Sequence, residues 1–493
     1  MSAMIQGDIS VTGEQAICGT CHRRSGMGSL EGQQVVPAVT GKMLFNPLRL
    51  PTSQTESAPV LRNAYTRESL KLAIRSGIDA NGKLLDPIMP RYPLDDESLD
   101  MLIDYLSGLS QEFSPGVDDK DIHFATVVSE GVGALEKKAL LDVIQTFIEQ
   151  KNTETRHESY RAEHAPWHKE WMFKPYRKWV LHVWELKGPQ ETWNEQLKAY
   201  YEHVPVFALL SGRVTGPWAP IHHFCEASHL PCLFPTTDLP VINESDFYSF
   251  YTDGGMDLEG RGVASTILKE VKTPDRVIQV YRLGDIKAET AAKALADSLR
   301  DSGMEIVNRV LPSPEVGGTS SHTGINDQSV LVVWGGQSEL MAALDNAESK
   351  VQPQRIYLST TLFTEMKAGV PESLKDRVYF IHTQELPKKL DRLLARSTGW
   401  FKMKRIYAPE AKAVQANAYF ALKAAGGALK LTRGYFYRDY FAEKIENMTD
   451  NANYTSIYPR VSLAPDQRFA SRGYYITKLQ DNKLEAVSEW TIP

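Results

Sequence analysis

The chain has 493 residues, 42% of them hydrophobic and 24% charged, which is material for about two to four soluble domains with cores of their own. Lysine and arginine total 55 against 61 aspartates and glutamates, so at a net charge of −6 there is no basic excess to neutralise phosphates, and a dedicated nucleic-acid binder is excluded. The apolar runs, such as Val330–Trp334, are strand-sized and far short of the roughly 20 residues of a membrane span, and the composition is not collagen-like, disordered or disulfide-dense.

In chain order, the first chemistry is Cys18-Gly19-Thr20-Cys21-His22. Cys-x-x-Cys-His is the attachment pattern of a c-type haem: two thioethers hold the porphyrin edge and the adjacent histidine faces the iron. A redox dithiol or half of a zinc site are the alternatives, but no βαβ pattern or second ligand pair accompanies the motif. Further on, Leu85-Asp86-Pro87-Ile88-Met89-Pro90-Arg91-Tyr92-Pro93 is a proline-framed loop that cannot be helical. It offers Met89 as a second axial ligand, with Met27 and Met43 as rivals in less rigid settings. Amphipathic helices are expected around Thr12–Cys21, Arg67–Ser76 and Asp95–Leu106, the last opened by acids and stopped near Gly108.

This order of helix, haem motif, Gly/Pro-rich loop, helix, Met-Pro loop and helix resembles a class I monohaem cytochrome c over residues 8–110. The resemblance implies a small all-α domain with one covalently attached haem c, its iron held by His22 and Met89. Val36-Pro37-Ala38 is similar to the stretch of that family whose proline carbonyl orients the proximal histidine, so Pro37 takes that role by resemblance.

Residues 111–120 are polar, contain Pro115-Gly116 and are expected to be a flexible linker. From 121 to 493, apolar strand-like runs alternate with amphipathic helices, the signature of α/β layering. Strands are expected at Ile122–Val128, Trp179–Val183, Val206–Leu210, Arg276–Tyr281, Val330–Trp334, Arg355–Leu358 and Val378–Ile381. Phe207-Ala208-Leu209-Leu210-Ser211-Gly212, Pro231-Cys232-Leu233-Phe234-Pro235-Thr236-Thr237 and the tail from Leu463 carry a resemblance to type I periplasmic substrate-binding proteins of the branched-chain amino acid and amide group. It implies two lobes of doubly wound parallel sheet, lobe one at 121–265 and 382–452, lobe two at 266–381 and 453–493.

Ligands of open α/β sheets meet the carboxyl ends of strands. Small polar loops stand there, offering Ser129, Ser211, Thr236, Thr237, Trp334 and Ser359 as solute contacts, although each also reads as a turn or cap residue. The aromatic stretch 156–176 is longer than a usual βα connection and is expected to line the cleft or dock the first domain. Cys225 and Cys232 are expected to form a disulfide; a free thiol pair, or a metal site with His222, His223 and His229, is the alternative.

No catalytic constellation, phosphate-binding glycine loop or nucleophile elbow is found, so the expected chain is not an enzyme. The leading expectation is a periplasmic electron-transfer cytochrome with an unknown redox partner protein, whose second domain binds a small solute such as an amino acid or amide. The alternatives are a solute receptor with an appended cytochrome, and a redox enzyme acting on a bound small molecule. No signal peptide opens the sequence, and periplasmic location assumes its removal.

Overall fold

The computed structural model describes residues 2–5, 9–31, 34–49, 60–164, 177–243, 245–270, 274–312, 325–345, 352–364, 369–448, 456–481 and 483–493. The N-terminal unit contains β1 (Ser2–Ile5), β2 (Ile9–Thr12), α1 (Cys18–His22), β3 (Ser29–Glu31), β4 (Gln34–Val36), α2 (Gly41–Leu44), β5 (Leu48–Arg49), β6 (Val60–Arg62), α3 (Arg67–Ser76) and α4 (Asp96–Gly108). The strands form three antiparallel pairs, so the expected all-α cytochrome domain is not what the chain builds. The expected helix at 12–21 is also cut short, because Gly13 takes φ +61° and only the five residues of α1 become α-helical.

The two longer helices form where the amphipathic pattern and caps agree. Thr66 and Ser69 make a reciprocal capping box at α3, and Asp95 accepts from Ser98 N at 2.7 Å to open α4. Their inner faces, Leu70, Ile74, Leu99 and Ile103, close a small core with Ala16 and Tyr92. Gly77 ends α3 at φ +68°, and a Cβ there would lie 2.0 Å from Arg91 Nε. Arg91 needs that space, since its guanidinium donates to the carbonyls of Leu85, Asp86 and Met89 and so holds the proline-framed loop.

The expected linker is packed rather than loose. Phe113 stacks edge-on against Phe436 at 5.4 Å, Ser114 N donates to Phe436 O, and Arg438 N donates to Ser114 Oγ. The edge-on ring contact and the paired backbone groups hold 113–116 against lobe one, although the Phe113 side chain remains exposed.

Beyond it lie β7 (Asp121–Ser129), α5 (Ala134–His164), β8 (Lys178–Leu186), α6 (Trp193–His203), β9 (Ala208–Leu210), α7 (Ala219–Ala227), β10 (Cys232–Leu233) and β11 (Ser249–Phe250). The five strands make a parallel sheet ordered β11-β10-β9-β7-β8. The second lobe begins with α8 (Gly255–Glu270) and continues through β12 (Arg276–Arg282), α9 (Ile286–Leu299), β13 (Glu305–Leu311), β14 (Ser329–Trp334), α10 (Gln337–Asp345), β15 (Arg355–Ser359) and β16 (Val378–His382). The chain then returns to lobe one for α11 (Pro387–Leu393), α12 (Ala395–Met403), α13 (Lys412–Thr432) and α14 (Arg438–Glu446). It ends with the hairpin β17 (Tyr475–Gln480) and β18 (Lys483–Ala486) on sheet two. Sheet two is ordered β13-β12-β14-β15-β16-β17-β18, parallel except for the last two strands.

Both sheets are covered on two faces, which is why their strands read as continuous apolar runs; every residue of β14 is buried. One core of lobe one lies under α5, α13 and α14 and the other under α6 and α7. The expected lobe boundary at 265/266 falls inside α8, which packs in lobe two, so the first crossing is at 251–255. Likewise 456–471 still packs on lobe one, through Val461, Leu463 and Ala470, and the last crossing follows it. Of the aromatic stretch 156–176, residues up to 164 belong to α5 and 165–176 lie outside the described residues. Among the described residues no helix is long and apolar enough to cross a membrane.

Replacing Gly77 with alanine combines left-handed strain with a clash on Arg91. It is expected to cost about 1–2 kcal/mol, read as lost hydrogen-exchange protection in 67–92 with lobe one unchanged.

Candidate functional site

Two regions gather polar chemistry. The first surrounds α1. Its short turn places Cys18 and Cys21 side by side and outside any disulfide, with His22 next to them. His22 Nδ1 lies 2.9 Å from Pro37 O, so a proton on Nδ1 is held there and Nε2 carries the lone pair. The Tyr92 hydroxyl hydrogen-bonds Cys18, and burial raises its pKa ahead of any effect of the two cysteines. Met89 sits half-buried in the loop clamped by Arg91.

The three residues after His22 fix this unit to lobe one. Arg23 pairs with Glu446, and Arg24 pairs with Asp439 and lies over the ring of Phe247. Ser25 donates to both oxygens of Glu443, from N and from Oγ, at 2.7 Å each. Burial pushes the Glu443 carboxyl up to about 7, against those two hydrogen bonds. The second oxygen of Glu446 accepts from Arg468 at 2.7 Å, and the Glu446 side chain is 1% exposed.

The second region lies between the lobes. Asp238, in the loop after β10, makes an ion pair with Lys287 at the start of α9, the helix that follows β12. The carboxyl ends of the two parallel sheets therefore face each other across a cleft. The expected solute contacts distribute unevenly around it. Thr236 and Thr237 are half-buried; Thr236 Oγ1 accepts from Asn417 and Thr237 Oγ1 accepts from Leu239 N. Ser129 Oγ accepts from Thr215 N at 3.0 Å and bonds Thr215 Oγ1, tying the end of β7 to the loop after β9. Ser211 is fully buried at φ +54°. Ser359 Oγ accepts from Thr361 N and Leu362 N, as a turn residue does. Trp334 is corrected: it is fully buried in the core of lobe two, its Nε1 donating to Gln279, because a strand flanked by helices on both faces buries its large residues.

Sequence reasoning missed the acidic floor of this region. Asp253 follows β11 at the first crossing, and Glu259 lies on α8 with its Oε1 accepting from Thr361 Oγ1 at 2.5 Å. Burial, with the charges of Asp238 and Glu259 behind it, pushes the Asp253 carboxyl up to about 8. Burial pushes Glu259 up to about 7, against hydrogen bonds from Ser359 and Thr361. Asp253-Gly254-Gly255 was the available signal, since Gly255 takes φ +54° and a Cβ there would meet Asp238 O at 2.3 Å.

Cys225 and Cys232 are disulfide-bonded, with Cα atoms 6.2 Å apart, as the short separation anticipated. His222, Glu226 and Asp246 cluster nearby, but each is engaged. His222 bonds Tyr251 OH and Asp246, and Glu226 accepts from the backbone N–H groups of Phe247, Tyr248 and Ser249.

No family model matches the chain, and no curated protein matches it. Among solved structures, a type 1 periplasmic binding protein from Bordetella pertussis Tohama I matches with a TM-score of 0.51 at 12% identity, over 75% of this chain and 100% of its own. A branched-chain amino acid ABC transporter protein from Thermus thermophilus with bound valine matches with a TM-score of 0.50 at 11% identity, over 76% of this chain and 97% of its own. These likenesses overturn the leading expectation of an electron-transfer cytochrome: they are to transport and binding proteins, and they span 97% or more of each neighbour.

Replacing Glu443 with alanine strands two donors of Ser25, a residue with no solvent exposure. The loss is expected to be about 1–3 kcal/mol, seen as faster protease release of the N-terminal unit. From residue 121 onward, the chain has the α/β fold of a type I periplasmic binding protein, two parallel-sheet lobes joined by three crossings.

Proposed function

We propose that the chain is a solute receptor of the periplasmic space, binding a small amino acid-like compound between its two lobes. The observation that carries this reading is the facing of the two sheets' carboxyl ends, joined by Asp238 and Lys287. Loops and helix N-termini there present N–H groups, hydroxyls and paired charges to a polar solute. The bound valine of the Thermus thermophilus protein supports amino acid chemistry for the ligand class. Thr236, Thr237 and Asn417 are the lobe-one groups nearest to hand.

A ligand that binds only the folded chain stabilises it by about 2.7 kcal/mol at a hundred times its Kd. Thermal melts of the full chain with single amino acids, their amides and short carboxylates are therefore expected to show a raised midpoint with at least one compound. A flat response across that panel overturns the reading.

We also propose that the N-terminal unit carries one covalently attached haem c. The residues fit: two half-spaced thiols on one turn, an imidazole whose Nδ1 is bound by Pro37 O, and a methionine in a clamped loop. Cys18 and Cys21 would hold the porphyrin, and His22 and Met89 the iron. Such a group supplies a redox-active iron when bound. The chain's own part is to fix the tautomer of His22 through Pro37 and the position of Met89 through Arg91. Protein made with a c-type maturation system is expected to keep haem through denaturing electrophoresis and to lose it in the Cys18→Ala, Cys21→Ala double variant. Wild-type protein without covalent haem under those conditions overturns the assignment.

A further inference from the structure

The chain enters its last crossing from a loop whose two arms are fastened to each other. Ser462 N donates to Ala470 O at 2.9 Å, and Ser471 Oγ donates to Pro459 O at 2.9 Å. Arg460 and Arg472 are the residues that follow Pro459 and Ser471, so the second bond brings two arginines together at the foot of the loop. Lobe one holds the loop in place: Leu463 N donates to Met448 O at 2.8 Å and Ser471 N to Thr252 O at 2.7 Å.

The C-terminal tail runs beside the same loop. Tyr474 N donates to Thr491 O at 2.8 Å and Thr491 N to Tyr474 O at 3.0 Å, which straps the tail to a residue in the core of lobe two. Trp490 packs edge-on against Tyr475 with ring centroids 4.8 Å apart. Gly473 leaves room for the indole, since a Cβ there would lie 2.7 Å from Trp490 Nε1. Loop and tail enclose a cavity of about 520 Å³, lined by Arg460, Ser462, Arg472, Glu489 and Trp490 among others. That volume suits a small organic ligand. None of Asp238, Thr236, Asn417 or Lys287 lines it, so it is separate from the cleft between the sheets. A ligand here would touch both lobes at the last crossing.

The charges of this cavity are not balanced from within. Arg468, earlier in the loop, is satisfied by Glu446. Arg460 and Arg472 are exposed, and among the described residues neither makes a hydrogen bond or an ion pair. Two like charges on one wall repel each other, and a bound anion relieves that repulsion. A guanidinium presents a planar fork of donors that matches a carboxylate. The Trp490 indole offers a flat apolar surface to a ring. Glu489, exposed on the same wall, disfavours a second negative charge on the ligand. We propose that this cavity is a second binding site, for a flat organic monocarboxylate whose charge is held by Arg460 and Arg472 and whose ring lies against Trp490. The proposal goes beyond solute binding between the lobes and does not depend on it.

The test is titration calorimetry of the full chain with benzoate as the probe, at constant ionic strength. Wild type is compared with the Arg460→Gln, Arg472→Gln double variant and with Trp490→Leu. Neither arginine has a partner to lose, so the double variant is expected to fold with an unchanged melting midpoint. Wild type is expected to bind benzoate at a single site. Affinity should fall about tenfold or more in the double variant and about threefold in Trp490→Leu. Acetate, which has no ring, and inorganic phosphate, which carries more charge, should both bind wild type more weakly than benzoate. No benzoate binding by wild type, an unchanged benzoate affinity in the double variant, or phosphate binding as tightly as benzoate overturns the proposal. If Trp490→Leu fails to fold, equal affinity of wild type for acetate and benzoate has the same consequence. A response to amino acids in thermal melts that survives in the double variant belongs to the interlobe cleft, so the two readings fail separately.

Discussion

Two parallel sheets with both faces covered can exchange the chain only at their ends, and this constraint organises the molecule. Helices occupy the faces, so each passage from one lobe to the other must leave at the strand ends. All three passages are forced into one narrow ribbon, zipped by backbone hydrogen bonds donated by Tyr251, Glu385, Ala470 and Ser471. Backbone groups buried there must be paired, and the ribbon pairs them with each other.

Glu446 extends the constraint to the N-terminal unit. Its two oxygens are taken by Arg23, from the turn after His22, and by Arg468, from the third crossing. Arg468 also donates to Asp246 O and lies over the rings of Phe247 and Phe250. A buried carboxylate between two guanidiniums contributes little net stability, but it tolerates one geometry and strongly penalises loss of a partner. The cysteine–histidine turn is thereby placed one residue from a side chain that also holds the lobe crossing. The packing of Phe113 and Ser114 against Phe436 and Arg438 makes the connection rigid on its other side.

The parts of the fold that were legible were those whose signal is local. Val330–Trp334 and Arg276–Tyr281 read as buried strands because continuous apolar runs of that length have few other uses, and Arg67–Ser76 read as a helix because its periodicity and capping residues coincide. The first helix was misjudged because Gly13 breaks a pattern that hydrophobic spacing alone would continue. Residues 111–120 were misjudged for the opposite reason, since polar composition and a Pro-Gly pair say nothing of the aromatic surface of Phe436 and Tyr437 that receives Phe113.

The sequence by itself determined the α/β alternation from residue 121 and the pairing of Cys225 with Cys232, and it set Cys18, Cys21 and His22 on one short turn. Each of these depends on residues within a few positions of one another. Tertiary structure alone decided that Trp334 is core rather than cleft, that Ser359 serves its own turn, and that Glu259 meets Thr361 across more than a hundred residues of chain. The reason is that a side chain's role at the end of a parallel strand depends on which crossing passes beside it. That neighbour is chosen by sheet order and lobe closure, neither of which leaves a mark in the residues on either side.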